Sequence, residues 1–178
     1  MVVAVQRLCL IWDRPGAGLS GGERHQTVIP IKTLVRDGCW LKCTARSIYA
    51  KGELTFRMRI LSFDRFVYTE IERGVTLRPI EEGAVRWLMM LEVVNLGKVS
   101  ELFGYISDLM RVVDADGFQF ERESGDAGLT FSDFAKRTGL SLGGLLPKIK
   151  AQGAVIFKVA DEDMEYSLTF RNGTMEEI

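Results

Sequence analysis

Two neighbouring stretches of alternating side chains place the strongest constraint on how this sequence folds. Polar and apolar residues alternate over Gly38–Ala50 and again over Glu53–Phe63, with Lys51 and Gly52 between them. Because successive side chains of a β-strand point to opposite faces, each stretch predicts a strand with one buried face and one outward face. A short connection that contains glycine joins two such strands. The sequence therefore predicts an antiparallel hairpin that turns at Lys51 and Gly52.

The two faces of this hairpin differ in chemistry. The predicted core face carries small and apolar side chains: Cys39, Leu41, Cys43, Ala45, Leu54, Phe56, Met58 and Ile60. The outer face carries one aromatic and four basic side chains: Trp40, Lys42, Arg46, Arg57 and Arg59. Basic side chains follow a phosphate backbone, and an exposed aromatic ring stacks on unpaired bases. The outer face therefore predicts binding of single-stranded DNA or RNA; the alternative is a solvated face whose charges prevent edge-to-edge aggregation.

The segments around the hairpin predict an α+β fold. Thr27–Val35 is typical of a strand, with Pro30 at an edge or a bulge. Pro79 comes just before Ile80–Val94, whose early glutamates favour the start of a helix. Val99–Val112 has apolar residues at helical spacing and predicts a second helix. The predicted architecture is an antiparallel β-meander plus a helix, followed by a winged-helix-like unit.

Charge is distributed unevenly along the chain. The 23 basic and 24 acidic side chains give a formal net charge of -1. Residues 1–100 hold 15 basic and 10 acidic side chains, whereas residues 101–178 hold 8 and 14. A basic half and an acidic half in one chain predict surfaces with different partners. We therefore predict a basic β-rich domain over residues 1–96 and an acidic domain over residues 97–178.

The segment from Trp40 to Leu91 resembles the positive cofactor four and Whirly type of single-stranded-DNA-binding coactivator. The resemblance lies in the basic-Gly-aliphatic-Thr-Leu-x-Pro junction Arg73–Pro79, which leads from a meander into a segment carrying Trp87 and Leu91. It implies that this segment is a helix, that the protein dimerises, and that the basic sheet face binds single-stranded DNA. The four basic residues of that face match the family only in kind and in strand location.

The segment Leu129–Phe170 resembles a winged helix-turn-helix. Its pattern predicts two short helices, Thr130–Thr138 and Ser141–Gln152, followed by a hairpin. The resemblance places Lys148 and Lys150 on the second helix, where they are candidates for contact with nucleic acid or a partner. The predicted hairpin is acidic and would repel phosphates, so the expected role of this unit is protein interaction or self-association.

No pattern in the sequence predicts a catalytic site, a metal site or a cofactor. Residues 16–21 match a dinucleotide fingerprint, but no helical pattern follows them. His25 is the single histidine and has no identifiable nucleophile beside it. The three cysteines fit a reducing compartment. Because no apolar run is long enough to span a membrane, we expect no membrane association and a cytoplasmic or nuclear location.

Together these patterns predict a non-enzymatic protein with two activities. The basic β-rich part binds single-stranded nucleic acid, in transcription or nucleic-acid processing. The acidic part recruits a protein partner, and the chain forms homo-oligomers. The alternative function is that of a structural or assembly subunit that binds protein and does not bind nucleic acid.

Overall fold

The computed structural model describes residues 27–46, 52–66, 82–123, 144–162 and 164–178. These residues form eleven strands and two short helices, which are, in chain order, β1 (Ile29–Pro30), α1 (Ile31–Asp37), β2 (Leu41–Arg46), β3 (Glu53–Arg65), β4 (Ala84–Asn95), β5 (Glu101–Leu102), α2 (Phe103–Ser107), β6 (Met110–Val113), β7 (Gln119–Glu121), β8 (Gly144–Leu145), β9 (Lys150–Ala160), β10 (Ser167–Phe170) and β11 (Gly173–Glu177). The predicted α+β class is therefore wrong, because the described chain is built mainly from strands.

Two antiparallel sheets enclose one hydrophobic core. The larger sheet has the strand order β11-β2-β3-β4-β9, and the smaller one has the order β1-β10-β6-β7. Strands β5 and β8 pair separately. Apolar side chains of both sheets meet in the core, where the rings of Phe56 on β3 and Phe170 on β10 lie 5.7 Å apart. Two sheets that bury their inner faces against each other form a β-sandwich.

The predicted central hairpin is confirmed. Strands β2 and β3 pair in antiparallel fashion, with Lys42 opposite Arg57 and Arg46 opposite Glu53. Seven of the eight predicted core side chains are buried, and Cys39 is half-buried. Residues 47–51, which include the end of the predicted first strand and Lys51 of the predicted turn, lie outside the described residues. The alternation of side chains thus predicted both the strands and the direction in which each face points.

The predicted helix Ile80–Val94 is wrong, because residues 84–94 belong to strand β4; Ile80 and Glu81 are outside the described residues. This strand lies between β3 and β9, and every side chain from Leu91 to Asn95 is buried. A strand that is covered on both sides is apolar over most of its length, so its period of two is hidden. The Whirly-type resemblance fails with it, since Trp87 and Leu91 lie on a strand; the Arg73–Pro79 junction is outside the described residues.

The predicted winged helix-turn-helix is also wrong. From Gly144 onward, the predicted second helix consists of strand β8, a turn and the start of β9. Lys148 in that turn has a left-handed φ of 62° and donates its N–H to the Asn95 carbonyl oxygen at 2.8 Å. The predicted wing strands do exist as β9 and β10, but they belong to different sheets and do not pair. The predicted first helix, Thr130–Thr138, is outside the described residues.

Two further segments differ from their predictions. Within Val99–Val112 the only helix is the five-residue α2, because the chain continues into the buried strand β6. Thr27–Val35 contains the two-residue β1, which is an edge strand as Pro30 indicated, and then the helix α1. Gly38 ends α1 with a φ of 61°, a left-handed conformation that glycine adopts readily. Neither described helix is long and apolar enough to cross a membrane.

The larger sheet combines strands from both predicted domains. Strands β2, β3 and β4 come from residues 1–96, whereas β9 and β11 come from residues 97–178. Every residue of β4 except Asn95 has a partner on β9. Strands from the basic and the acidic halves of the sequence are therefore interleaved within one sheet.

Candidate interaction face

The five basic and aromatic residues predicted on the hairpin lie together on the outer surface of the larger sheet. We call the surface formed by Trp40, Lys42, Arg46, Arg57 and Arg59 the basic face. The antiparallel register places Lys42 directly opposite Arg57. The guanidinium carbons of Arg57 and Arg59 lie 4.9 and 5.2 Å from the centroid of the Trp40 ring. The sequence thus identified side chains that the fold does bring together.

Trp40 anchors the basic face. It comes just before β2, its side chain is half-buried, and its carbonyl oxygen accepts the N–H of Ile178 at 3.0 Å. Two guanidinium groups over one indole ring form cation–π contacts, which hold the arginines in place. The same contacts occupy the surface of the ring that a nucleotide base would need for stacking.

Arg59 has a second partner, which the sequence did not reveal. Its Nε donates to Glu92 Oε2 at 2.6 Å, and Lys150 Nζ lies 3.0 Å from Glu92 Oε1. Glu92 is on β4, directly opposite Arg59, and its side chain is only 5% exposed. We call these three residues the Glu92 cluster. Sequence reasoning missed Glu92 because β4 was predicted as a helix, and the apolar residues on both sides of Glu92 hide the alternation that is typical of a strand.

The surroundings of Glu92 determine its charge. Burial acts to raise the pKa of its carboxyl group. The hydrogen bonds and positive charges of Lys150 and Arg59 outweigh burial, so the pKa of Glu92 lies below its usual value. The carboxylate is therefore ionised at neutral pH, and it holds two basic side chains against the sheet.

The remaining cations of the basic face have different surroundings. The side chains of Lys42, Arg46 and Arg57 are exposed. Among the residues that the structure describes, none of the three forms an ion pair. Two carboxylates are on neighbouring strands, since Glu53 faces Arg46 and Glu176 faces Lys42 in the register of the sheet. The basic face is thus positively charged but bordered by acidic groups.

The prediction that this protein binds single-stranded nucleic acid is wrong. It depended on three features: an exposed Trp40 ring on which bases could stack, a β-meander followed by a helix, and a winged helix-turn-helix. The Trp40 ring instead lies under two guanidinium groups, and β4 replaces the expected helix. The second-site candidates Lys148 and Lys150 lie in a turn and on β9, and Lys150 belongs to the Glu92 cluster. The predicted roles in transcription and nucleic-acid processing depended on nucleic-acid binding and are wrong as well.

Other polar groups in the described residues have structural surroundings. The Asp114 carboxylate accepts the N–H groups of Asp116 and Phe118 at 3.0 and 2.9 Å and so closes the turn between β6 and β7. Glu123 forms a bidentate ion pair with Arg86 at 2.6 and 2.7 Å. Burial raises the pKa of the Cys43 thiol and keeps it protonated. No group of three potential metal ligands occurs within the part of the chain that the structure covers.

Comparison with known proteins gives likeness in fold only. No protein-family model matches the chain, and no curated protein matches it in sequence. A "putative lipoprotein" of Bacillus subtilis has a TM-score of 0.45 and 11% identity over 69% of this chain, which spans 36% of that protein. An uncharacterized β-sandwich protein of Clostridium difficile has a TM-score of 0.39 and 14% identity, covering 75% of this chain and 90% of its own.

A third similar structure is that of a secreted protein of Mycobacterium tuberculosis. Its TM-score is 0.38, and it shares 11% identity over 64% of this chain and 79% of its own length. Two of these three proteins are described as a "putative lipoprotein" and as a secreted protein, and those descriptions apply to those proteins. The assignment of this chain as a β-sandwich is made from its own strand order and its shared core.

Proposed function

We propose that this protein is a non-enzymatic interaction domain that binds an acidic segment of a protein partner on its basic face. The observation that carries the proposal is the arrangement of Arg57 and Lys42. Arg57 is held over the Trp40 ring, and Lys42 stands opposite it; both are exposed and form no ion pair with another described residue. Tryptophan and arginine supply a large share of the binding energy in protein interfaces.

The geometry suits carboxylates presented by a polypeptide. A guanidinium group binds a carboxylate through two parallel hydrogen bonds, and its stacking on an aromatic ring lowers the conformational entropy lost on binding. Side chains that face each other on adjacent strands have Cβ atoms about 5 Å apart, so Lys42 and Arg57 can bind neighbouring acidic side chains of one segment. The bordering carboxylates Glu53 and Glu176 would repel a ligand that carries negative charge along its whole length, which favours a segment with spaced acidic residues.

Fluorescence anisotropy with a fluorescein-labelled Glu-Ser repeat peptide tests this proposal at low ionic strength. We expect the double variant Lys42→Glu, Arg57→Glu to weaken peptide binding by at least about tenfold, because it replaces two attractive charges by two repulsive ones. The matched control is Lys32→Glu, which reverses an exposed charge that is on α1, pairs with Glu165 at 3.5 Å and is not part of the basic face. Equal binding by the wild type and the double variant would contradict the proposal.

A second binding experiment distinguishes a protein partner from a nucleic-acid partner. An oligothymidylate of the same net charge as the peptide should bind more weakly, because the Trp40 ring is not open for stacking. Oligothymidylate binding that exceeds peptide binding, and that the double variant abolishes, would overturn the choice of a protein partner. The predicted self-association stays a prediction, and sedimentation velocity on the same samples tests it.

A further inference from the structure

A cleft with a volume of about 750 Å³ opens on the sandwich beside the β2–β3 hairpin. Its walls come from β2, β3, β6, β7, β10 and β11, and the connection from β10 to β11 completes the lining. Cavities of this size hold small organic molecules in many proteins. Polar and apolar groups line it about equally, and the lining residues that the structure describes include three arginines, Arg46, Arg111 and Arg171, and two carboxylates, Glu53 and Glu121.

The wall formed by the β10–β11 connection has a fixed shape. Asn172 has a left-handed φ of 54°, and the carbonyl oxygen of this residue accepts the N–H of Arg46 at 3.3 Å. At Gly173, an added Cβ would lie 2.7 Å from the Ala45 Cβ atom, so the backbones of β11 and β2 approach closely. The N–H of Arg171 donates to the Leu109 carbonyl oxygen at 2.8 Å. The backbone that carries Arg171 is thus anchored on both sheets.

Arg111 is the buried polar group of the cleft. Its side chain is only 7% exposed, and Nη1 donates to the carbonyl oxygens of Asp108 and Met110, each at 2.7 Å. Nη2 donates to Glu121 Oε1 at 2.7 Å, and the Glu121 side chain is 69% exposed. Among the described residues, no acceptor is bound to Nε–H or to the second Nη2–H of Arg111. A buried guanidinium with free donors is costly unless another acceptor completes its hydrogen bonds.

We propose that this cleft is a binding site for a small organic anion whose carboxylate or phosphate group is held by Arg111. Nε and Nη2 share one edge of the guanidinium, and two oxygens of one oxyanion can bind across such an edge. The two backbone carbonyls fix the guanidinium before the ligand arrives, which lowers the entropic cost of binding. Arg46 and Arg171 add positive charge to the cleft and stabilise the remainder of the anion.

This site is separate from the surface of the proposed function. Arg111 and Arg171 belong to the cleft alone, whereas Trp40, Lys42 and Arg57 are not part of its lining. Only Arg46 contributes to both places. The two proposals therefore predict different effects for the same variants, so that either proposal can be contradicted while the other is supported.

Isothermal titration calorimetry with citrate and with glucose 6-phosphate tests the site, and neutral glucose serves as the uncharged reference. We expect at least one of the two anions to bind and glucose not to bind. The variant Arg171→Ala should weaken anion binding by about fivefold or more through the loss of one nearby charge, whereas Lys32→Ala on α1 should leave it unchanged. Binding of citrate alone indicates a carboxylate ligand, and binding of glucose 6-phosphate alone indicates a phosphorylated one.

Arg111→Gln should abolish anion binding, and circular dichroism shows whether that variant is folded. If Arg111→Gln does not fold, Arg171→Ala still tests the proposal, because the Arg171 side chain is exposed and its removal should not unfold the protein. Lys42→Glu, Arg57→Glu should bind the anion with unchanged affinity, which separates this result from that of the peptide experiment. The proposal is overturned if neither anion binds, if glucose binds as well as the anions do, or if Arg171→Ala has no effect.

Discussion

The two sides of one sheet surface treat their basic residues differently. On the β4 side, Arg59 and Lys150 both bind the buried carboxylate of Glu92. On the β2 side, which we define by Lys42 on β2 and by Arg57, the β3 residue that faces it, both side chains are exposed, and neither forms an ion pair with another described residue. The difference teaches that the neighbouring strand, and not the strand that carries the cation, decides whether a basic residue stabilises the fold or is available to a partner.

The largest expected effect comes from breaking the Glu92 cluster. Glu92→Gln removes the carboxylate that holds Arg59 and Lys150, and we expect it to lower the free energy of unfolding by about 2 to 3 kcal/mol, because hydrogen bonds to charged groups are lost. Urea denaturation at pH 7 measures the change. The control Glu176→Gln, on an exposed position of β11, should change stability by less than about 0.5 kcal/mol. If Glu92→Gln and Glu176→Gln lowered the free energy of unfolding equally, the claim that the β4 side is stabilised by ion pairs and the β2 side is not would be contradicted.

The same cluster predicts a pH dependence. The pKa of Glu92 is lower in the folded protein than in the unfolded chain. At a pH near these two pKa values, the folded state therefore binds fewer protons than the unfolded state does. The stability that Glu92 adds is therefore fully present above the unfolded pKa of about 4.3 and is lost as the pH falls through the lower folded value. The difference in stability between the wild type and Glu92→Gln should stay constant from neutral pH to about 5 and shrink below about 4. A difference that grows on acidification would contradict this assignment.

The β2 side depends on close backbone packing instead of ion pairs. Gly173→Ala places a Cβ atom 2.7 Å from Ala45 Cβ and 2.9 Å from the Thr44 carbonyl oxygen, so β11 must move away from β2. We expect a loss of about 1 to 2 kcal/mol from this overpacking. Gly104→Ala in α2 is the matched control, since no described atom other than those of its chain neighbours and its own helix backbone lies within 4 Å of the added Cβ. Thermal unfolding compares the two; a destabilised Gly104→Ala together with an unaffected Gly173→Ala would refute this account of the β2 side.

The smallest effect is expected at Lys42 itself. Its side chain is exposed and forms no ion pair within the described part of the chain, so Lys42→Gln should change the free energy of unfolding by less than about 0.5 kcal/mol. The urea midpoint at pH 7 measures the effect. A loss comparable to that of Glu92→Gln would show that Lys42 is structural and would weaken its role in binding.

How much of this molecule the sequence predicts depends on how each strand is buried. Strands β2 and β3 have one solvent-facing side, so their alternation is visible and both faces of the hairpin could be predicted from it. Strand β4 is covered on both sides over residues 91–95, and its Leu and Met residues also favour helices, so its type was predicted wrongly. Glu92 was missed for the same reason.

The pairing of strands that lie far apart in the sequence could also not be predicted from local sequence patterns. The strands β9 and β10 were predicted near their observed positions, yet β9 pairs with β4 and β10 pairs with β6 and β1. These partners lie far apart in the sequence, and an apolar alternation records which face is buried but not which strand is adjacent. Consequently, the sequence placed Lys150 on a separate unit, although the fold brings it to Glu92.

The central claim is that the basic residues on the β2 side are available to an acidic protein segment because Glu92 does not bind them. The most direct measurement is the affinity of the labelled Glu-Ser repeat peptide for two variants that each alter one side of the surface. Lys42→Glu, Arg57→Glu should weaken binding by at least about tenfold, and Lys150→Gln on the β4 side by less than about twofold. The account is contradicted if Lys150→Gln weakens binding as much as the double variant does, or if the double variant binds like the wild type.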